Sequence, residues 1–411
     1  MNSDGWEKTA AFPAKVFRSI FSNHVNADIM DTEHFHAYKY ERGTNPMKKL
    51  VSLLLAVSML LGLVAFASAE DTIRVAMVTD SGDITDQSFN QTTYEACKAF
   101  CEAKGIDFNY YKPAADSDPD RVTAIEKAIN DGFNTIVLPG YLFGAAVQEV
   151  QDTYSDVKFI CLDISEFDLG GAPAANVFSA VYQEELSGYM AGYAAVKMGY
   201  KHLGFLGGMA VPAVIRFGFG FVQGADAAAV ELGIADQVAV EYVYGNQFFG
   251  DADITAAMDT WYQNLGVEVV FACGGGIYTS AAEAAVKVEG GKVIGVDTDQ
   301  SAIIDSYAEG LTVTSAMKGL AATVNTLLAE TVAGNFANYG GKVETLGLVS
   351  GEDMSLNYVA LPETTQFCDS FTRDDYVALV KGMVEGTVTV SNDTTAMPAT
   401  TITVTDHGSV K

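Results

Sequence analysis

Basic residues are scarce in this chain of 411 residues. Lysine and arginine together number 24, against 52 aspartates and glutamates, so the formal net charge is −28. Such a charge repels the phosphates of nucleic acids and the headgroups of anionic lipids. The composition therefore argues against a nucleic-acid-binding protein and against direct adhesion to a membrane surface. We expect a soluble monomer.

Histidine and cysteine are also rare. Of five histidines, only His202 and His407 follow residue 69, which effectively excludes a multi-histidine centre, and we predict no metal site. The five cysteines are odd in number; Cys97 and Cys101 are one helical turn apart, and two more lie inside apolar runs. This pattern favours buried free thiols over a disulfide framework.

Known catalytic and nucleotide-binding motifs are missing from the sequence. We find no GxSxG, no HExxH and no Cys–His pair in a plausible context. The pair Gly207-Gly208 and the triplet Gly274-Gly275-Gly276 each follow an apolar strand, but neither continues as GxGxxG or GxxxxGK[ST]. We favour backbone space for a ligand or a tight turn there, with a phosphate loop as the alternative. We predict a protein that is not an enzyme and carries no cofactor.

One segment differs in composition from the rest of the chain. Met47-Lys48-Lys49 precedes the apolar run LVSLLLAVSMLLGLVAF, which ends at Ala67-Ser68-Ala69. Lysines, an apolar run and a small-x-small exit predict a secretory signal peptide over 47–69, cleaved after Ala69; the alternative is a transmembrane helix. Residues 1–46 then precede a normal signal start, and we interpret them as a gene-start error or cloning sequence.

From Asp71 onward, short β-branched segments alternate with segments of helical periodicity. Strand candidates include Ile73–Thr79 and Lys158–Asp163 in a first series, and His202–Gly207 and Lys292–Val296 in a second. Strands that alternate with helices of this length form parallel sheets with right-handed crossovers. Two such series predict an α/β protein with two similar lobes.

Domain boundaries follow from these two series. We assign 71–180 to an N-terminal lobe, completed by return segments from the last third of the chain, and 181–345 to a C-terminal lobe. The remainder, 346–411, is predicted to hold return strands, a short helix near Phe371–Met383 and a tail that is a strand or a mobile end. In the long helix predicted at Glu184–Met198, Gly188 and Gly192 have the spacing for close helix packing.

The first strand runs into the most informative segment, VAMVTDSGDITDQSFNQ. In an open α/β sheet, the carboxyl end of a strand and the start of the next helix line the ligand crevice. This position holds the carboxylate of Asp80, the ring of Phe89 and the amide of Asn90. These groups suit a flat, polar small molecule.

Aspartates end strands in both series. Asp80 and Asp163 close strands of the first series, and Asp297 closes a strand of the second. Parallel strands bring such ends to one edge, although capping of the next helix is an alternative role. Carboxylates accept hydrogen bonds from vicinal hydroxyls or from the donor edge of a base. The pattern therefore suits a sugar or nucleoside, not a phosphate.

A lysine and several aromatic residues complete the candidate set. Lys318 is predicted to open a helix, Lys318–Ala333, and its alternative role is that of a solvated surface lysine. Phe89, Phe217, Phe248 and Phe249 are predicted in loops or at helix starts. Two such rings facing each other across a cleft would sandwich a planar ring, whereas single rings there serve as packing lids.

Six segments resemble the basic membrane protein family, substrate-binding proteins of ABC transporters that include purine nucleoside receptor lipoproteins. They are TDSGDITDQSFNQ, RFGFGFVQGA, YVYGNQFFGDAD, FACGGG, VIGVDTDQ and TSAMKG, in the same order over most of 71–360. The DxSFNQ and IGVDxDQ motifs are the most specific. The resemblance implies a periplasmic-binding-protein type I fold: two Rossmann-like lobes with parallel sheets, joined by a hinge, with nucleoside in the cleft.

The resemblance also implies how the base is held. Phe89 and an aromatic residue at Phe249 (or Phe248) would stack on the ring, and Asn90 and Asp163 would hydrogen-bond its edge. The full ligand-binding set that the resemblance implies is Asp80, Phe89, Asn90, Asp163, Phe249, Gly275, Asp297 and Lys318.

The ribose would be held by groups from the second series. By the same resemblance, Asp297, Gly275 and Lys318 would bind its hydroxyls, while Asp80 would support the first loop or touch the ligand. One feature departs from the family. Many relatives carry a lipobox cysteine at the cleavage site, but the exit here is Ala67-Ser68-Ala69-Glu70. We therefore expect an exported protein that is periplasmic or cell-surface associated, without a lipid anchor.

We expect an extracytoplasmic receptor of an ABC importer that binds a purine nucleoside and delivers it to a permease. A nucleoside hydrolase or phosphorylase is one alternative, but it needs an activated water or a phosphate site. A sensor ligand domain of the same fold is another.

Overall fold

The computed structural model describes residues 72–411. The predictions for 1–46 and for the signal peptide at 47–69 lie outside the described residues. The strands are β1 (Arg74–Val78), β2 (Asp107–Tyr111), β3 (Thr135–Pro139), β4 (Lys158–Leu162), β5 (Val177–Tyr182), β6 (His202–Gly207), β7 (Ala239–Tyr244), β8 (Val269–Cys273), β9 (Lys292–Asp297), β10 (Thr312–Lys318), β11 (Lys342–Leu346), β12 (Val359–Ala360) and β13 (Thr403–Ser409). The α-helices are α1 (Phe89–Lys104), α2 (Asp118–Asn130), α3 (Gly144–Val150), α4 (Glu184–Lys197), α5 (Pro212–Leu232), α6 (Ala252–Thr260), α7 (Tyr278–Ala285), α8 (Ser301–Ile304), α9 (Leu320–Val332) and α10 (Arg373–Val384).

These strands form two sheets, one for each predicted lobe. The first has the order β11-β5-β4-β3-β1-β2, and the second has the order β12-β10-β9-β8-β6-β7-β13. The pairs are parallel except for β10 with β12. Central strands such as β3 and β8 are buried along their whole length, as expected of parallel strands covered on both faces. The predicted α/β class with parallel sheets is confirmed.

The chain passes between the two lobes three times. It leaves the first sheet after β5, returns after β10 through α9, which packs against α1, and leaves again after β11. Strand β11, at Lys342–Leu346, therefore belongs to the first sheet, whereas the sequence placed nearly all of it in the C-terminal lobe. The later segments β12 and β13 complete the second sheet. Strand order is set by pairing across the chain, which local periodicity does not encode.

Helices α4 and α5 pack closely through glycines. A Cβ atom placed on Gly188 or Gly192 would come 2.1 Å from a backbone oxygen of α5, and one on Gly224 would come 2.0 Å from a backbone oxygen of α4. The predicted close packing is confirmed. Of the described helices, α5 (Pro212–Leu232) is long and apolar enough to cross a membrane. It is mostly buried against α4 and the second sheet, as a core helix.

Two local predictions differ from the structure. Lys318 does not open a helix but ends β10, where it pairs with Val359 of the two-residue strand β12. Helix α5 begins at Pro212, a favoured first helical position, so Phe217 lies inside the helix and not at its start. The tail forms β13, parallel to β7, which agrees with the first of its two predicted alternatives, a strand or a mobile end. The five cysteines are free thiols, four buried as predicted and Cys368 exposed.

Candidate ligand-binding site

A cavity lies between the lobes, at the carboxyl ends of strands from both sheets. Asp80 and Asp163 follow β1 and β4, and Asp297 and Lys318 end β9 and β10. Seven of the eight predicted residues line this cavity: Asp80, Phe89, Asn90, Asp163, Gly275, Asp297 and Lys318. The fold thus brings together groups that are more than 200 residues apart in the sequence, as the strand-end pattern requires.

The loop after β1 is held by its own polar side chains. The Asn90 Nδ2 donates to Asp80 Oδ1 at 2.9 Å and to Asp86 Oδ2 at 3.1 Å. Asp86 also accepts from the backbone N–H groups of Ser88, Asn90 and Gln91 at the start of α1. Both hydrogens of the Asn90 amide are therefore engaged inside the loop. Asn90 organises Asp80 and the loop, which leaves its predicted contact with the base as a proposal.

Asp86 was not identified from the sequence. Its carboxylate lies where the free N–H groups of a helix start are found, a position that favours anions. The signal in the sequence is weak, because Ser88 and not Asp86 occupies the N-cap position, where capping residues are expected. Asp80 in the same loop is half-buried, and its partial removal from water raises its pKa to about 6.

Lys318 is buried and neutralised by two carboxylates. Its ammonium pairs with Asp163 and, at 3.1 Å, with Glu184; Glu184 in turn accepts from Arg216 Nε at 2.5 Å. The Lys318 side chain is 3% exposed and that of Glu184 is fully buried. Burial alone would lower the pKa of Lys318, but the neighbouring carboxylates outweigh it and raise this pKa. Lys318 therefore stays charged.

Three aromatic rings surround the same ammonium. The Lys318 Nζ lies 5.1 Å from the ring centroid of Phe89, and 5.5 Å from those of Phe217 and Tyr182. A cation over ring faces at this distance is attracted by their negative π surfaces. Phe89 comes from the first lobe and Phe217 from the second, so the lysine lies between rings on opposite walls. Glu184, Arg216 and Tyr182 were not in the predicted set, because the start of a helix and the end of a strand carry no local motif for a buried ion pair.

Asp297 joins the two lobes directly. Its Oδ2 accepts a hydrogen bond from the Ser88 hydroxyl at 2.6 Å, and Gln300 Nε2 donates to the backbone oxygen of Gln87 at 3.0 Å. Ser88 and Gln87 precede α1 of the first lobe, whereas Asp297 ends β9 of the second lobe and Gln300 lies three residues beyond it. The described cavity is therefore in a closed form. Burial raises the pKa of Asp297, although Lys318 and Ser88 oppose this.

Asp163 and Asp297 share an uncommon backbone conformation. Their φ angles are +62° and +65°, in the left-handed region that non-glycine residues seldom adopt. The two residues follow corresponding strand ends, one in each lobe. Such conformations occur at sites where the surrounding structure fixes a side chain in one direction. Here both carboxylates line the cavity.

The two glycine motifs make room for Phe248. A Cβ on Gly208 would lie 2.4 Å from Phe248 Cδ1, and a Cβ on Gly274 would lie 2.8 Å from it. The interpretation of these glycines as backbone space is supported. Phe248 lines the cavity, whereas Phe249, the residue named from the sequence, does not and is 60% exposed. Neighbouring residues of an extended loop point in opposite directions, so the sequence could not choose between them.

The charged residues that line the cavity are predominantly acidic. Among the described residues that line it, five are aspartates (Asp80, Asp86, Asp163, Asp168 and Asp297), and two are basic (Arg216 and Lys318). Both basic side chains already pair with carboxylates. Within the described residues, Asp163 Oδ1 is buried and has no hydrogen-bond partner. A buried acceptor of this kind calls for a donor, which a ligand can supply.

Comparison with known proteins identifies relatives. A family model described as "ABC transporter substrate-binding protein PnrA-like" matches residues 73–352. The ABC transporter nucleoside-binding protein BmpA of Lactococcus lactis is 27% identical over 68% of this chain and 80% of its own. The CD4+ T-cell-stimulating antigen of Listeria innocua is 29% identical over the same shares. Basic membrane protein B of Borreliella burgdorferi is 26% identical over 73% of this chain and 84% of its own.

Solved structures support the fold. A solute-binding protein of an ABC transporter system from Aeropyrum pernix superposes with a TM-score of 0.60 at 21% identity, over 78% of this chain and 88% of its own. A second, from Conexibacter woesei, has a TM-score of 0.58 at 21% identity, over 78% and 99%. At this identity the likeness concerns the fold alone. The predicted periplasmic-binding-protein type I architecture is confirmed.

Proposed function

Since the chain belongs to the family of PnrA-like ABC transporter substrate-binding proteins, we propose that its ligand is a purine nucleoside, bound in the cavity between the lobes. The protein is then the extracytoplasmic receptor of an importer and delivers this nucleoside to the permease. Its relatives are substrate-binding proteins, not enzymes. The observation that carries the ligand class is the acidic, aromatic cavity.

The aromatic walls support a planar ring as part of the ligand. Phe89 and Phe217 both line the cavity, one from each lobe, and Phe248 forms a third apolar wall. Flat rings gain from offset stacking or edge contacts with such side chains. We assign the base to this part of the cavity. Phe248 replaces Phe249 in the proposed set.

The carboxylates support a ligand rich in donors. Asp163 offers a buried oxygen without a partner among the described residues, and Asp297 lies at the same strand edge in the other lobe. Hydroxyl and amino groups donate to carboxylates, and such charge-assisted bonds are strong. A nucleoside carries both kinds of donor. A phosphate would instead meet five aspartates with both basic side chains already paired.

Release of bound ligand tests this proposal. The purified protein is denatured, and the released small molecules are identified by mass spectrometry; calorimetry then measures guanosine, inosine, uridine and guanosine monophosphate. We expect a purine nucleoside to bind more tightly than uridine, and the monophosphate to bind at least a hundredfold more weakly than guanosine. Binding of no nucleoside, or tightest binding of the monophosphate, contradicts the proposal.

Further measurements test three related proposals: that the protein is not an enzyme, that it carries no lipid anchor and that it is a monomer. Incubation with inosine or guanosine should yield no free base, whereas release of base would favour a hydrolase or phosphorylase. We also propose that the protein is exported without a lipid anchor, which N-terminal sequencing of the native protein tests. We propose further that it is a monomer, which sedimentation tests. A mature chain that begins near Glu70 without lipid is the expected result.

A further inference from the structure

The last described segment forms an edge strand of the second sheet. Strand β13 runs parallel to β7, next to residues 239–244. At its start, Asp226 Oδ1 accepts from the backbone N–H groups of Thr401 and Ile402 at 2.6 and 2.9 Å, and Ile402 is buried. In its middle, His407 Nε2 lies 2.5 Å from Glu241 Oε2. The segment is thus fixed to the lobe before it reaches the loop that follows β7.

Its end binds that loop at three residues. The Lys411 ammonium pairs with Asp251 and donates to Gln247 Oε1 at 3.1 Å, while Asn246 Nδ2 donates to the Lys411 carbonyl oxygen at 2.7 Å. Val410 N–H also donates to the Tyr244 oxygen at 2.9 Å. These contacts lie on both sides of Phe248 in the sequence.

The loop 245–251 carries the only cavity-lining side chain among the described residues between β7 and α6, that of Phe248. Phe248 packs on Gly208 and Gly274, and its carbonyl accepts from Gly276 N–H at 2.8 Å. Asn246 in the same loop has a φ of +57°, a conformation that costs energy in a non-glycine residue. The Asn246 side chain donates to the main-chain oxygen of Lys411, and this contact helps to hold the loop in its conformation.

We propose that residues 401–411, the C-terminal brace, hold the loop 245–251 so that Phe248 is in place for the ligand, with Lys411 as a positioning residue. The consequence for affinity rests on the function proposed above, whereas the consequence for the loop does not. Lys411 touches Gln247 and Asp251 and does not line the cavity. Its effect on ligand must pass through the order of the loop.

Several weak contacts together are enough to order this loop. The Lys411 and Asp251 side chains are 36% and 27% exposed, so their ion pair alone contributes little. Together with the hydrogen bonds to Gln247 and Asn246, however, it restricts a loop of only seven residues. Local opening of such a loop requires far less free energy than global unfolding. Lys411→Met removes the ion pair with Asp251 and the hydrogen bond to Gln247, whereas the bond from Asn246 to the Lys411 main-chain oxygen remains. Loss of the two side-chain contacts should therefore change loop order without changing the stability of the lobe.

Hydrogen exchange of the full chain, followed by mass spectrometry of a peptide covering 245–251, measures this loop directly. We compare Lys411→Met with the unsubstituted protein, with Lys411→Arg as rescue and with Lys381→Met as the matched control. Lys381 is an exposed lysine on α10 with a single, distant carboxylate partner, Glu385, at 3.9 Å. Guanosine affinity by calorimetry and the urea midpoint are measured on the same four proteins.

We expect Lys411→Met to speed exchange in 245–251 about three- to tenfold, to weaken guanosine binding by a similar factor and to leave the urea midpoint unchanged. Lys411→Arg should restore both properties, and Lys381→Met should change neither. Unchanged exchange in Lys411→Met overturns the proposal, as does faster exchange with unchanged affinity. If the unsubstituted protein binds no nucleoside, the function proposed above fails, and the exchange result still decides whether Lys411 holds the loop.

Discussion

The Ser88 hydroxyl donates a 2.6 Å hydrogen bond to the Asp297 carboxylate, across 209 residues of sequence and across the gap between the lobes. Both residues are buried. Ser88 precedes the first helix of one lobe, and Asp297 ends a central strand of the other. The contact exists only when the lobes are close together, so it is a direct link between domain closure and the candidate site.

Ser88→Ala removes this link. A hydrogen bond to a charged group contributes about 1.5–3 kcal/mol, so the closed form should lose stability and nucleoside affinity should fall about tenfold or more. Calorimetry measures the affinity. Thr123→Ala is the control, since the Thr123 side chain is exposed and its hydroxyl bonds to Pro119 within its own helix. An unchanged affinity in Ser88→Ala would show that this contact does not stabilise the closed form.

Asp297→Ala should have a larger effect. It removes both the cross-lobe acceptor and the proposed acceptor for ribose hydroxyls, and we expect affinity to fall by much more than about tenfold. Calorimetry with each nucleoside that the protein binds is the measurement. Asp152→Ala, an exposed aspartate, is the control. If every affinity is unchanged, Asp297 has no role in ligand binding.

Lys318→Met should destabilise the protein strongly. It leaves Asp163 without its cation, while Glu184 keeps its pair with Arg216, and breaking a buried ion pair from one side typically costs about 3–5 kcal/mol of unfolding free energy. The loss should be smaller at pH 5 than at pH 8, because burial already raises the pKa of Asp163 to about 6 and the orphaned carboxyl becomes protonated. Urea unfolding at both pH values measures this. Lys287→Met, which breaks an exposed pair with Asp259, should cost about 0–1 kcal/mol.

Glu185 provides a separate test of pH dependence. It is 3% exposed, and burial raises its pKa from 4.5 to about 7. Between these values the folded state binds more protons than the unfolded state, so this residue makes the protein less stable as the pH rises from about 4.5 to 7. Glu185→Gln removes this loss, and the variant should exceed the unsubstituted protein by up to about 3 kcal/mol at pH 8.

The difference between Glu185→Gln and the unsubstituted protein should become small near pH 4.5, where Glu185 is neutral in the folded state and about half-ionised in the unfolded state. Urea unfolding across pH 4.5–8 measures it. Glu149→Gln, at an exposed position of α3, should show no such trend. A constant difference at every pH would show that Glu185 does not titrate in this range.

Gly208→Ala should damage the site and leave the fold intact. The new methyl group would lie 2.4 Å from Phe248 Cδ1, so the ring must move, and we expect nucleoside affinity to fall about tenfold. Gly276→Ala is the matched control, because its nearest atoms lie 3.8 and 4.0 Å away and its backbone conformation suits any residue. Equal affinities of the two variants would show that the position of Phe248 does not matter for binding.

The sequence predicted the architecture because strand and helix periodicities are local. It also placed Asp80, Asp163 and Asp297 near one another, since parallel strands share one edge. It did not predict that Lys318 ends a strand, because that strand is extended by pairing with the two residues Val359–Ala360 far along the chain. Long-range pairing of the same kind, between β11 and β5, places β11 in the first sheet.

The charged network was harder to predict than the strand ends. Glu184 opens a helix, where an acidic residue is ordinary, and Arg216 lies in the first turns of α5. Only the packing of α4 on α5, together with the end of β10, brings these two side chains to Lys318. Phe248 and Phe249 differ by one position, and the choice between them depends on which side of the loop meets Gly208.

The three passages of the chain between the lobes also have a mechanical consequence. Glu184 lies two residues beyond the first passage at Tyr182, and Lys318 is the last strand residue before the second. Their ion pair therefore ties two of the connecting segments together. When one lobe rotates against the other, part of the resulting strain passes through Lys318, which also lines the cavity. Ligand binding and the stiffness of the connection between the lobes should therefore both depend on Lys318.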